Sequence, residues 1–364
     1  MSSLAQQHIV VAGAGAIGSA IAATLAARGA SVVWADPAAE ADNASGVAAG
    51  MLAPGFETAL EGGDAEAFAL LKAARDQWPV LLKTLGDLDV GLWQGGALWL
   101  DLPGLESRTA SDLKLRFDAI GAAADLVTAA VARDLLPSLP AELTGALYTP
   151  EDWSLDPLMA LTALRAAAVA AGAEVVRARV TAFEAGAAQM SDGQTLAADA
   201  LVLATGADAT ALAPELAQLS PIKGHILRQA LSDRRTRGPM LRAAAGYVSA
   251  TASGVHVGGT MEAGRADHVI SPAIAARLKA FGERLYPALV GADLVPRTGV
   301  RAASPDSLPL VGPSAAPGVL VAAGMRRNGW LLAPLVADMI AAYLTGDDPG
   351  PYAARLNPRR FEAG

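Results

Sequence analysis

The chain alternates between short, wholly apolar runs and longer stretches of helical period. Ile9, Val10, Val11 and Ala12 form the first run and predict a strand buried on both faces of a parallel sheet. Residues 19–28 predict a helix, and Ser31, Val32, Val33, Trp34 and Ala35 a second strand. The pattern returns much later, in residues 199–207 and again in 318–324, with a helix expected over 332–344. Such recurrence predicts a discontinuous domain, in which the chain leaves, builds other structure and rejoins the same sheet. Between these runs, residues 64–86 carry helical spacing through Phe68, Leu71, Trp78, Leu81, Leu82 and Leu85. Residues 91–94 and 96–100 suggest a hairpin, residues 105–125 a helix and 146–148 a strand. Asp156 and Pro157 form a helix start, with the helix running to Ala171, where Gly172 ends it. Strands follow over 174–184, with a hairpin turn at 191–193. From residue 221 to 296 apolar and polar positions alternate, in Ile222 to Leu231, in 246–250 and in 254–260, as in an antiparallel sheet, before a helix over 272–286. Beyond Gly346 the chain is polar and Pro-rich and reads as a loosely packed extension.

Composition narrows the possibilities. A chain of 364 residues favours two domains. With 52% hydrophobic and 18% charged residues it suits a well-buried α/β protein. A net charge of −8 disfavours nucleic acid and anionic membranes as partners. No apolar run reaches membrane-spanning length, and the start lacks a basic n-region, so the expected location is the cytoplasm. There is no cysteine, which excludes disulfides, thiol nucleophiles and a cysteine-tethered cofactor. The four histidines have no metal-ligand spacing, and no metal is expected.

The first strand runs into Gly13-Ala14-Gly15-Ala16-Ile17-Gly18, and Asp36 closes the second. Strand, G-x-G-x-x-G turn, helix, strand and acid, in that order, bind the ADP half of a dinucleotide. Gly13 permits the tight turn, Gly15 lets backbone approach a pyrophosphate, and Gly18 lets helix and strand pack closely. The helix N-terminus offers free N–H groups, and Asp36 is placed to accept from ribose hydroxyls. By itself the motif does not separate FAD from NAD. A second run of small residues, Ala44 to Pro54, suits backbone lying against a flat ring, and equally an Ala-rich helix start capped by Ser45.

A nucleotide fold that begins at the N-terminus and closes with strand, turn and helix at the C-terminus resembles the D-amino-acid-oxidase-like FAD-dependent oxidoreductases. Four stretches carry the resemblance: the glycine turn with Asp36; Ala44-Ser45-Gly46-Val47-Ala48-Ala49-Gly50-Met51-Leu52-Ala53-Pro54; residues 299–312 around Arg301; and Ala323-Gly324-Met325-Arg326-Arg327-Asn328-Gly329-Trp330-Leu331-Leu332-Ala333-Pro334. The second and fourth are similar to the glycine oxidase branch, which serves thiazole formation in thiamine biosynthesis.

The resemblance implies a mixed α/β (α+β) architecture: a Rossmann-like FAD-binding domain on a parallel sheet, over residues 1–80, 150–215 and 297–346, and a substrate domain on an antiparallel sheet, over 81–149 and 216–296, with a tail from 347 to 364. It implies non-covalent FAD. Ala16 and Ile17 would lie at the pyrophosphate, Asp36 and Pro37 at the adenosine ribose, and Ala44, Ser45, Ala49, Gly50 and Met51 beside pyrophosphate and ring. Val180 would offer backbone to adenine, and Met325, Arg326, Arg327, Asn328, Gly329, Trp330 and Leu331 would follow the isoalloxazine edge. Arg301 and Arg327 match positions near a substrate carboxylate, with Tyr247 and Met261 lining the pocket.

The chemistry points the same way. An amino acid oxidase holds a carboxylate, which an arginine fork does bidentately. It places the substrate Cα–H against flavin N5 and needs little acid–base machinery if the amine reacts neutral, so no catalytic residue is singled out. The expected activity is oxidative deamination of glycine or another small amino acid, with O2 as acceptor, giving an imine and hydrogen peroxide. A homo-oligomer, a tetramer among the options, is implied too. A D-amino acid dehydrogenase passing electrons to a quinone or carrier, and a flavin-binding subunit with little turnover, remain alternatives, as does an NAD enzyme from the first 36 residues alone. The chain also departs from the family pattern. Met325 stands where a histidine is usual, with Arg326 an extra basic residue. Ala302 and Ala303 replace prolines, and His225 stands for a glutamine.

Overall fold

The computed structural model describes residues 4–39, 41–105, 107–208, 211–230 and 238–362. Its first sheet has six strands in the order Leu310–Pro313, Val319–Ala323, Ala200–Leu203, His8–Ala12, Ser31–Ala35 and Glu174–Val176. All pairs are parallel except the edge strand Leu310–Pro313. The three returning apolar runs are therefore neighbours in one sheet. Strand alternation splits their side chains between two cores. Ile9, Val11 and Val202 face a helical layer, and Val10, Ala12, Leu201 and Leu203 face a three-stranded antiparallel sheet over Val180–Glu184, Ala187–Met190 and Thr195–Ala197.

Helix Ala16–Ala27 is buried from Ala16 to Ala26 between helices Pro157–Ala170 and Gly329–Thr345. Its sequence, AIGSAIAATLAA, is small enough on every face for two helices and a sheet to close on it. It starts at Ala16 rather than at Ser19, so the third motif glycine lies in its first turn. Helix Pro157–Ala170 opens as expected, with Asp156 accepting from Leu158 N and Met159 N.

The second sheet is larger and mostly antiparallel. Its strands run Glu262–Ala263, Ser220–Ala230, Gly254–Gly258, Gly246–Ala250, Met240–Ala243, Ala97–Asp101, Gly145–Thr149 and Asp125–Thr128, with Val295–Ala303 also paired to Ser220–Ala230. The domain boundary expected at residue 297 thus falls inside a strand of this sheet. Leu231, at the end of one expected strand, lies outside the described residues.

Several local expectations are corrected. Residues 91–100 are not a hairpin: Ala97–Asp101 pairs in parallel with Met240–Ala243 and antiparallel with Gly145–Thr149, while Trp93 bridges Ser154. Apolar content and a Gly-Gly turn predict a strand but not its partner. The helix over 64–86 is two helices, Ala65–Asp76 and Trp78–Thr84, because Pro79 has no N–H and fits a new first turn. The helix over 105–125 is confined to Ala110–Ala119, opened by a capping box between Thr109 and Asp112. The tail is docked rather than loose. Leu356 is fully buried against the helical core, and Arg360 pairs with Asp306 at 2.8 Å. No helix among the described residues is long and apolar enough to cross a membrane.

Candidate functional site

Two clefts lie along the segment from Asn43 to Met51, which passes from one to the other. The first is lined by Gly13, Gly15, Asp36, Pro37, Ala44, Ser45 and Val180, and opens about 1290 Å³ of space. Gly13 has φ +109°, and a Cβ there would collide with the Ala204 carbonyl of the adjoining strand end. A Cβ on Gly18 would collide with the Gly13 carbonyl. These two glycines build the turn, and Gly15 leaves its backbone bare towards the cleft, where a Cβ would stand 3.0 Å from Ser45 Oγ. Ser45 Oγ accepts from Ala16 N at 2.8 Å, so Ser45 meets the first turn of the long helix. Asp36 accepts from Ala14 N at 2.6 Å and from Ala38 N at 2.8 Å, which holds its carboxylate over the glycine loop. Ile17 and Gly18 are buried in the helix and touch neither cleft.

The second cleft, about 910 Å³, is lined by Gly50, Met51, Tyr247, Met261, Arg301 and Arg327, among others. Its floor is one face of the large sheet. Arg242, Tyr247 and Gly258 are cross-strand neighbours on three adjacent strands. Tyr247 can lie across the sheet only because Gly258 has no side chain beneath its hydroxyl. Arg301 rests in the same way on Gly224, where a Cβ would stand 2.5 Å from its Nη2. Its Nη1 reaches Met261 Sδ at 3.1 Å and Thr260 O at 3.4 Å. It has no carboxylate partner among the described residues. Burial pulls its pKa down, partly opposed by the Tyr247 hydroxyl.

Arg327, also expected near a substrate carboxylate, is differently placed. Its guanidinium is ion-paired with Glu57 through Nε and with Glu61 through Nη2 at 2.8 Å. Glu57 also accepts from Arg242 Nη2 at 2.9 Å. Burial pushes the Glu57 carboxyl up, and the Arg327 and Arg242 guanidiniums more than reverse this, leaving it below its ordinary value. Arg242 and Glu57 are residues of this cleft that the sequence reading missed. Arg242 has a local signal. It lies between Leu241 and Ala243, which point to the opposite, apolar face, and this alternation was the available signal.

Both glutamates stand on helix Pro54–Glu61, whose N-terminal N–H groups at Gly55 and Phe56 donate to buried Asp152 at 2.7 and 3.2 Å. Burial raises the Asp152 pKa to about 7, against the pull of Arg242 and those two donors. A folded-state pKa above the ordinary value of 3.8 means that the folded protein binds the extra proton, so this group's contribution to stability falls as pH rises from about 4 to 7. Asp152→Asn keeps an acceptor for the helix and removes the titration. Its melting temperature is expected to fall less steeply than that of the wild type between pH 5 and 7.5; parallel profiles would contradict this.

The remaining residues of the fourth stretch are not in the second cleft, apart from Trp330. Met325 is packed in the helical core, and Leu331 is fully buried. Asn328 precedes helix Gly329–Thr345 without a side-chain capping bond. Arg326, at φ +52°, pairs with Glu61 at 2.6 Å. Trp330 Nε1 donates to Ser45 O at 3.1 Å and so ties this stretch to the segment joining the clefts. None of the departures from the family pattern lines the second cleft. Ala302 and Ala303 are buried. His225 is buried as well, with Nε2 accepting from Ser271 N at 3.0 Å, so Nδ1 carries the proton towards Glu262 at 2.7 Å.

That histidine closes the base of a loop, and Lys223 pins its middle through Asp267 at 2.5 Å and Val269 O. Ala266 and His268 of the same loop wall the first cleft. Lys223→Met is expected to weaken cofactor binding by roughly three- to tenfold, the worth of a charge-assisted hydrogen bond shared with solvent. Titration of the apoprotein with FAD measures it; an unchanged Kd would free the loop from this role.

The family model described as "FAD dependent oxidoreductase" (DAO) matches residues 8–343. The chain belongs to this DAO family. It is 30% identical to the bifunctional protein ThiO/ThiG of Nostoc sp. over 98% of its own length, but spans only 55% of that relative. It is 30% identical to the glycine oxidase of Geobacillus kaustophilus, covering 95% of this chain and 96% of that one. The crystal structure of the latter superposes with a TM-score of 0.83 at 26% identity, over 98% of this chain and 100% of that one. A DAO-family member is an FAD-dependent oxidoreductase, and the first cleft fits the ADP half of that cofactor: bare glycine backbone at the helix start, Ser45 facing it, and Asp36 beyond.

Proposed function

We propose that the protein oxidatively deaminates glycine or another small amino acid in the second cleft. The observation that carries this reading is Arg301, a part-buried guanidinium facing the cleft with no carboxylate partner among the described residues. A planar fork of this kind takes a carboxylate in two parallel hydrogen bonds. Gly224 beneath it and Tyr247 beside it restrict its movement, so a bound carboxylate has one orientation. When bound, FAD supplies the hydride acceptor and passes the electron pair to O2, so that the amine becomes an imine and oxygen becomes hydrogen peroxide. Burial holds the Tyr247 hydroxyl above its ordinary pKa, so it stays protonated and can donate to the substrate. Ala49, Gly50 and Met51 would lie beside the flavin ring, and Ser45 and Asp36 would hold the pyrophosphate and ribose.

Supply of the imine to thiazole formation in thiamine biosynthesis fits the likeness to the ThiO part of the ThiO/ThiG proteins. The proposal includes a cytoplasmic homo-oligomer, for which light scattering gives the mass. The deciding experiment is an anaerobic screen of the purified flavoprotein with glycine, sarcosine and D-amino acids, followed by a peroxide assay in air. Bleaching by one of them with stoichiometric peroxide is expected. Bleaching without peroxide would replace the oxidase by a dehydrogenase, and no bleaching by any amine would end the reading.

A further inference from the structure

The chain has eight methionines and no cysteine, so thioethers are its only side-chain sulfur. Seven of the methionines are among the described residues. Met190, Met240, Met325 and Met339 are buried in the cores, while Met51, Met159 and Met261 are part-exposed. Of these three, Met51 and Met261 line the second cleft, and each sulfur faces a guanidinium. Met51 Sδ accepts from Arg242 Nη2 at 3.4 Å, and Met261 Sδ from Arg301 Nη1 at 3.1 Å.

The two arginines differ in what else holds them. Arg242 Nη2 also donates to Glu57 at 2.9 Å, so the Met51 contact adds little to its placement. Among the described residues, Arg301 Nη1 meets only the Met261 sulfur and, at 3.4 Å, Thr260 O. A thioether is a weak acceptor, and this weakness leaves the Arg301 fork available to a carboxylate.

We propose that Met261 is a site of oxidation to the sulfoxide by hydrogen peroxide, and that the modified side chain draws Arg301 away from the substrate. In the step a sulfur lone pair attacks one peroxide oxygen, the S–O bond forms and the O–O bond breaks. The leaving oxygen departs as hydroxide and takes the proton from the oxygen now on sulfur, so one water is released. Sulfur gives up two electrons and peroxide accepts them. Arg301, beside the sulfur, stabilises the negative charge that develops on the leaving oxygen. The product carries a polar acceptor where a soft sulfur stood, and the rotatable bonds of the side chain let that oxygen reach Nη1. A hydrogen bond from a guanidinium to it is charge-assisted and competes with the substrate carboxylate. The inference rests on the role given to Arg301 above. Because that reaction releases peroxide in the same cleft, its own product lowers the affinity for substrate.

The flavin-loaded protein is treated with reagent hydrogen peroxide, freed of it with catalase and titrated with acetate by calorimetry, while peptide mass spectrometry locates the added oxygen. Oxygen is expected on Met261 ahead of the four buried methionines. Acetate binding is expected to weaken about tenfold, the worth of one charge-assisted hydrogen bond. It should recover after treatment with the two methionine sulfoxide reductases, one for each epimer. In Met261→Leu, whatever its starting affinity, peroxide should leave acetate binding where it began; in Met51→Leu the loss should persist. Met261→Gln, with a permanent amide oxygen in that place, should bind acetate more weakly than Met261→Leu with no peroxide added. An unmodified Met261 beside a fully oxidised Met159 would overturn the proposal. So would a peroxide effect that survives in Met261→Leu, or a sulfoxide at Met261 with unchanged acetate affinity. If Arg301→Met binds acetate as the wild type does, the underlying reading of Arg301 fails; if it loses acetate and the oxidised wild-type protein does not, only this inference fails.

Discussion

Arg301→Met is expected to lower kcat/KM for the amine substrate about a thousandfold, equivalent to about 4 kcal/mol. Methionine approximates the aliphatic stem, so packing over Gly224 and against Met261 is kept and the guanidinium alone is lost. The loss is large because, among the described residues, the other two guanidiniums lining the cleft are engaged. Arg327 is bound to Glu57 and Glu61, and Arg242 to Glu57, so neither can turn to the substrate without abandoning a buried carboxylate. Arg301→Lys should recover only part of the activity, since an ammonium on a flexible stem cannot reproduce the fork. Anaerobic stopped-flow reduction, with flavin content as the control for folding, measures both variants. Wild-type reduction rates and affinity in Arg301→Met would remove the carboxylate assignment and the proposed function with it.

Glu57→Gln is expected to cost about 3–5 kcal/mol of stability, the range for breaking a buried ion pair from one side. The carboxylate is 4% exposed and lies between two guanidiniums. An amide of the same shape leaves Arg242, already without an acceptor at Nε among the described residues, without the carboxylate that pairs with it. Glu61 would retain Arg327. Urea denaturation of the flavin-loaded protein gives the difference, and a loss under about 1 kcal/mol would mean that the network is dispensable. A pH signature accompanies it. The folded-state pKa of Glu57 lies below the ordinary value of 4.5, so its stabilisation is complete above that pH and is lost as pH falls through the lower, folded value. The variant should lack this acid-side component.

The local order of elements was legible because each needs only neighbours in sequence. Ile9, Val10, Val11 and Ala12 are apolar on successive positions, and that excludes a strand with one wet face. Gly13, Gly18 and Asp36 follow at spacings that backbone geometry alone sets. The Asp156-Pro157 helix start is equally local. Strand pairing was not legible in the same way. Ala97–Asp101 has the same alternation whether its partner is Trp93 or Met240–Ala243, and the chain between 101 and 240 carries nothing that chooses.

The second cleft divides on the same line. By itself, the sequence determined that a dinucleotide turn opens the chain, that the same sheet is rejoined near Ala200 and Val319, and that arginines lie at 301 and 327. Each follows from period, glycine placement or residue type. Only the tertiary structure decided what those arginines do. Glu57 comes from a helix far earlier in the chain and engages Arg327, while Arg301 is left facing the cleft. Only the sheet register set Arg242 beside Tyr247. The physical reason is that a charge's role depends on which opposite charges share its low-dielectric surroundings, and those arrive from residues far apart in sequence.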